Sequence, residues 1–137
     1  MFNKNNLIIV NSGGTTPVIN STIYGAIDQS QKLKNFNNVY VSHFGVDGLI
    51  SGDFINIKKI KQKYLIKLKH TPGSAFGISR NPKISKKNFI KIKNNLKKNK
   101  ITHLINIGGN GSLEQTLQFK KKNRKFKIYR LCPKNSG

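Results

Sequence analysis

Apolar residues gather into two short runs, NLIIVNS at 6–12 and THLINI at 102–107, and each run ends at a Gly-Gly pair. Runs of this length without polar alternation mark strands buried on both faces of a parallel sheet. A stretch with helical spacing follows each of them. After the first, Pro17 can open a helix in its first turn, and Val18, Thr22, Ala26 and the pair Gln29 and Ser30 carry it towards Lys32. After the second, Ser112 begins a helix with Leu113, Thr116, Leu117 and Phe119. Strand, glycine turn and helix are thus written twice.

Between these units, NVYVSHFGVDGLISGDFINI (38–57) predicts a strand at 39–42 and then a glycine-punctuated excursion that turns at Ser51, Gly52 and Asp53. The segment HTPGSAFGISRNP (70–82) holds two glycines, two prolines and two serines, and reads as a loop. From Ser85, a suitable N-cap, Phe89, Ile92 and Leu96 share one helical face, while Lys86, Lys87, Lys91, Lys93, Lys97 and Lys98 take the rest. A last short strand is KFKIYRL at 125–131. Strands alternating with helices predict an α/β, Rossmann-like three-layer fold, a parallel sheet with helices on both faces, within one domain over residues 1–137.

The charge balance is extreme: 26 Lys and Arg against 4 Asp and Glu, a formal charge of +22 on 137 residues. Such a surplus ordinarily points to nucleic acid or an anionic surface. Here it is nearly all lysine, spread from Lys4 to Lys134, and aromatics are not interleaved with it as stacking platforms. It reads as a solvated basic surface with no specific nucleic-acid partner. The lone Cys132 rules out an intrachain disulfide, and no Cys and His spacing makes a zinc site. The apolar run at 7–10 is too short for a signal peptide or a membrane span. A soluble, cytoplasmic protein is the expectation.

In parallel sheets, ligands bind beyond the carboxyl ends of the strands, where the following helix aims free backbone N–H groups and its positive dipole end. SGGTTP (12–17) and GGNGS (108–112) are two such turns, and glycine there lets a phosphate approach bare backbone. Neither matches the dinucleotide fingerprint or the P-loop. For each, a glycine that merely closes a tight connection is the competing reading. GSAFGISR (73–80) adds Arg80 on a glycine-rich loop, suited to a bidentate phosphate contact, although Arg80 is also one of 26 basic residues.

Taken in order, GGTTPVIN (13–20), GSAFGISR (73–80), IGGNGS (107–112) and PKNSG (133–137) resemble the motifs of the 6-phosphofructokinase family. Those motifs are GG-x-x-P-G-x-N, GS-x-x-G-[ST]-x-R, I-GG-D-[GD]-[ST] and a segment ending T-I-D-N-D. FGVDGLISGDF (44–54) resembles the family's stretch after its second strand. The resemblance covers essentially the whole chain, yet only the N-terminal part of a family whose members normally exceed about 300 residues in two lobes. It implies transfer of a phosphoryl group from ATP or pyrophosphate to the 1-hydroxyl of fructose 6-phosphate, giving fructose 1,6-bisphosphate in glycolysis, with Mg²⁺. It also implies a homo-oligomer for the full-length family member. Carried over to this chain, Gly14 would offer backbone to the donor phosphate and Arg80 would hold that phosphate as its charge redistributes. Asn81 would fall at the nucleotide, and Gly109, Asn110, Gly111 and Ser112 would form the donor loop, with position 110 near the metal.

The chain departs from the family pattern in ways that bear on chemistry. Asn110 replaces the usual Asp and offers a metal a neutral oxygen only; some pyrophosphate-type relatives also read GGN together with PVIN. Gly111 leaves room for a nucleotide, where pyrophosphate users carry an Asp, whereas Lys134 resembles the lysine of the pyrophosphate type. The donor stays open, with Gly111 tilting it towards ATP. Tyr24 and Asp28 stand where bacterial ATP-dependent members carry effector-binding arginines. The aspartates of T-I-D-N-D, one of which is the base on the sugar hydroxyl, would follow Lys134, where NSG stands. None of Asp28, Asp47, Asp53 and Glu114 lies at the matching motif, so no catalytic residue is assigned. The expectation is a partial, donor-binding phosphofructokinase-like domain without the sugar-phosphate lobe, inactive alone. The competing expectation is a non-catalytic phosphate-binding or interaction module built on the same fold.

Overall fold

A computed structural model of the chain describes residues 5–11, 17–71, 75–79, 84–108, 110–122 and 126–131. Five strands, β1 (Asn6–Asn11), β2 (Asn38–Ser42), β3 (Phe54–Asn56), β4 (Ile101–Ile107) and β5 (Lys127–Leu131), form one sheet in the order β3-β2-β1-β4-β5. The central β1 runs parallel to both β2 and β4, and β5 is parallel to β4. β3 is antiparallel to β2, so the sheet is mixed at one edge where a parallel one is expected. The link from β2 to β3 holds only a six-residue helix, too short for the crossover that a parallel neighbour requires.

Helices cover both faces, as the alternation predicts. α1 (Pro17–Leu33) and α3 (Gln62–Lys67) lie on one face, and α2 (Val46–Ser51), α4 (Lys86–Lys98) and α5 (Asn110–Lys122) lie on the other. Side chains of β1 alternate between the two layers, Leu7 and Ile9 in the first core and Ile8 and Val10 in the second. All of β1 is buried, and this is why its sequence shows no polar alternation.

α1 buries Ile19, Ile23 and Ile27, one position round from the expected face of Val18, Thr22 and Ala26. Isoleucine gains more from burial than threonine or alanine, so the helix rolls to seat it. Thr22 and Ala26 instead line an apolar groove with Leu33, Phe36 and Ile105. α4 forms as predicted: the Ser85 hydroxyl accepts the Asn88 N–H at 3.2 Å, Phe89, Ile92 and Leu96 are buried, and the six lysines are exposed. α5 begins at Asn110, two residues ahead of the expected Ser112.

The pairing of β1 with β4 contains one extra residue. Asn6 pairs with Ile101 but Leu7 with His103, leaving Thr102 to bulge. The Thr102 hydroxyl accepts the Asn6 N–H and donates to the Asn6 carbonyl, each at 3.2 Å, so the bulge is satisfied. Its consequence is that Ile101 and Leu104 enter the same core, which strict alternation forbids. His103 sits against the edge of Phe36 and the face of Tyr129. Burial first, and the Lys127 charge second, hold its imidazole below the ordinary histidine pKa. Among the described residues no helix is long and apolar enough to cross a membrane.

Candidate functional site

β1 leads through α1 to β2 on one side, whereas β4 lies on the other side of β1 and leads through α5 to β5. The chain therefore leaves the ends of β1 and β4 over opposite faces, which makes them the switch point where open α/β sheets form their ligand crevice. Asn11, the last residue of β1, is the register partner of Ile107, the last residue of β4. The two Gly-Gly turns thus depart from adjacent points of the sheet.

α5 starts almost at once after β4, so the free amides of its first turn and its positive dipole end face the mouth of this crevice. It is held to β4 from within. The buried Asn106 side chain donates to the Thr116 hydroxyl at 3.0 Å and to the Gln115 amide oxygen at 3.4 Å, and Phe119 seats edge-on against Phe89.

A third wall comes from the turn after β2. The Ser42 hydroxyl donates to the Gly45 carbonyl at 2.6 Å, and Phe44 and Gly45 both take positive φ, 61° and 59°. Gly45 is wedged between the end of β1 and GSAFGISR: a Cβ placed there would lie 2.3 Å from the Asn11 carbonyl oxygen and 3.3 Å from the Ser79 nitrogen. Residues 75–79 of GSAFGISR therefore lie beside the end of β1. The Phe44 N–H donates to the Phe76 carbonyl at 2.7 Å, and the Phe44 ring lies so close to Gly77 (φ 76°) that a Cβ there would be 2.3 Å from the ring. The Ser79 hydroxyl donates to the Asp47 carboxylate at 2.9 Å. At the other end, the Asn20 amide donates to the Thr71 carbonyl at 2.6 Å and accepts the Ala75 N–H at 3.0 Å.

Of the site residues expected from sequence, Gly14, Arg80, Asn81 and Gly109 lie outside the described residues. Asn110, Gly111 and Ser112 are described in backbone only, as the first turn of α5. The segments that lead to them are brought together: Asn11, Gly108 and Ser79 end the three approaches. Sequence reasoning assigned no role to Asn20, Gly45 or Asp47. Asn20 closes the GG-x-x-P-x-x-N pattern and Asp47 stands in FGVDGL, so the motifs contained both without showing what they hold. The other acids with described side chains are engaged elsewhere, Asp28 with Lys32 and Asp53 with His43, both at 2.9 Å. Tyr24, at one of the effector positions, lies under the Lys69 ammonium. Among the described residues no three His, Cys, Asp or Glu side chains converge as a metal cage.

A family model described as phosphofructokinase matches residues 6–134. The pyrophosphate–fructose 6-phosphate 1-phosphotransferase of Rhodospirillum rubrum is 33% identical over 109 residues, 80% of this chain and 27% of that protein. The protein of the same name from Halomonas elongata is 32% identical over 78 residues, 56% of this chain and 19% of that protein. Among solved structures, the pyrophosphate-dependent phosphofructokinase of Marinobacter aquaeolei superposes with a TM-score of 0.79 at 24% identity, over 93% of this chain and 32% of that one. Pichia pastoris phosphofructokinase in the T-state also gives 0.79, at 21% identity, over 98% of this chain and 16% of that one. The chain spans about a quarter of the length of the Rhodospirillum relative and about a third of the Marinobacter structure.

Proposed function

The chain belongs to the phosphofructokinase family, and from that premise we propose that it forms the donor-phosphate part of a pyrophosphate–fructose 6-phosphate phosphotransferase. The observation that carries this reading is that the strand ends leading into both glycine turns, Asn11 and Ile107, are paired, with Gly45 packed between Asn11 and segment 75–79. Phosphoryl transfer asks a protein mainly to position the donor and to neutralise charge. Backbone N–H groups of the first turn of α5 supply fixed positive dipoles, and in this reading Gly14, Arg80 and Gly109 to Ser112 are the donor-phosphate residues, with Asn81 next in sequence to Arg80.

Pyrophosphate is preferred as donor because the relatives above 30% identity carry it in their names, and because Asn110 with PVIN and Lys134 agree with that type. The room that Gly111 leaves for a nucleotide is then simply unused. Mg²⁺ would enter with the donor, bound chiefly to phosphate oxygens, as magnesium usually is. Fructose 6-phosphate is the acceptor in this reading, with its base and its phosphate contacts supplied by the parts of the family fold that these 137 residues do not span. The same reading puts the reaction in glycolysis, in the cytoplasm, in a homo-oligomer of the full-length protein.

Calorimetric titration at near-physiological salt, where loose attraction to the lysine surface is screened, tests the donor assignment. The chain is expected to bind pyrophosphate with Mg²⁺ about tenfold more tightly than ATP, a difference of about 1.4 kcal/mol. Equal or tighter binding of ATP would reverse the donor assignment. Phosphorylation of fructose 6-phosphate by the 137-residue polypeptide alone would show that the base lies within it.

A further inference from the structure

Asn20 is a polar side chain with no accessible surface, on the first turns of α1, and both ends of its amide are spent on the chain segment that opens GSAFGISR. One end donates to the Thr71 carbonyl and the other accepts from the Ala75 N–H. Asp47 holds the far end through Ser79, and the Phe44 N–H holds the middle through the Phe76 carbonyl. A buried amide left unpaired is costly, so the groups that satisfy Asn20 are held in place with it. The segment they fix lies against Gly45, which in turn touches the end of β1.

We propose that Asn20 and Asp47 are positioning residues that staple segment 75–79 to the carboxyl end of the sheet and thereby set the geometry of the donor-phosphate site. The proposal rests on the donor-site reading above. Neither residue needs to touch the donor. Asn20 works from the α1 layer and Asp47 from the α2 layer, so the segment is gripped across the sheet end from both sides.

Electrostatics separates this role from a simple charge effect. Removing Asp47 makes a +22 chain one unit more positive, which by itself favours an anionic donor. The staple predicts the opposite for Asp47→Ala, because the acceptor for the Ser79 hydroxyl is lost. Asp47→Asn sheds the same charge but keeps an acceptor oxygen. It should therefore bind pyrophosphate at least as well as the wild type, while Asp47→Ala and Asn20→Ala bind it about tenfold more weakly, the scale of one lost hydrogen bond.

The experiment pairs titration of magnesium pyrophosphate with amide hydrogen exchange on the full 137-residue chain and these three variants. The Phe44 amide is the reporter, because it is bonded directly to the segment through the Phe76 carbonyl. Its exchange should accelerate in Asn20→Ala and Asp47→Ala, return to the wild-type rate in Asp47→Asn, and leave β1 and β4 protected throughout. Unchanged exchange at Phe44 would show that there is no staple. Faster exchange with undiminished pyrophosphate affinity would show that the segment does not shape the donor site. Wild-type protein that fails to bind pyrophosphate would overturn the donor-site half of the proposal together with the functional reading, while the exchange data still decide whether the staple exists.

Discussion

Gly45→Ala is expected to destabilise the chain by roughly 3 kcal/mol or more, from a strained backbone conformation and an overpacked contact acting together. Gly45 takes φ 59° and ψ −125°, a combination that side chains resist. Its added methyl would also meet the Asn11 carbonyl at 2.3 Å, backbone that cannot swing aside as a side-chain tip can. Either β1 loses its last residues or the turn after β2 withdraws from it, and both outcomes open the crevice. Gly25→Ala in α1 is the control: no atom beyond its own stretch of helix backbone lies within 4 Å of its new methyl, and helix propensity alone predicts a gain of roughly 0.5–1 kcal/mol. Urea unfolding of the two variants beside the parent measures both. A Gly45→Ala loss under about 1 kcal/mol would mean that the contact with β1 is looser than described.

Phe119→Ala should cost about 3–5 kcal/mol, the range for emptying a fully buried aromatic site. Phe119 has no accessible surface, meets Phe89 at 5.9 Å between ring centroids, and joins α5 to the core beneath β4. Against a typical stability of about 5–15 kcal/mol, that loss is a large share. Since the first turn of α5 is the proposed dipole on the donor, pyrophosphate affinity should fall with the packing. Asn106, Gln115 and Thr116 keep a polar tether to the helix, so partial retention of the fold at low temperature is expected. A variant as stable as the parent would place α5 outside the cooperative core.

The elements visible in sequence are those whose pattern is set locally. β1 and β4 show because both their faces are covered, and α4 because Ser85 caps an apolar stripe set in lysine. α2 does not show. Its Gly48 reads as loop punctuation, yet it sits mid-helix because a Cβ there would lie 2.1 Å from the His43 carbonyl oxygen. The helix end is secured by Asn95, whose amide donates to the Leu49 and Ile50 carbonyls from a distant part of the chain. No local pattern carries that contact. β3 is three residues long, and α3 hides in a lysine-rich stretch where Leu65 and Leu68 are the buried residues.

The same division holds at the site. That the glycine turns share one end of a sheet was legible, because two buried parallel strands ending in Gly-Gly have few other ways to be arranged. The way GSAFGISR joins them was not. It depends on Asn20 reaching Thr71 and Ala75, on Asp47 reaching Ser79, and on Gly45 lying between strand and segment. These are ordinary residue types whose partners lie 32 to 55 positions away.

The central claim, that the ends of β1 and β4 with segment 75–79 form a donor-phosphate site, is tested most directly by amide chemical-shift mapping with magnesium pyrophosphate. The prediction is saturable shifts at Asn11, Gly108, residues 110–112 and residues 75–79, surviving near-physiological salt. Shifts spread along the exposed lysines of α4 and fading with salt, with Asn11 and residues 110–112 unmoved, would contradict it.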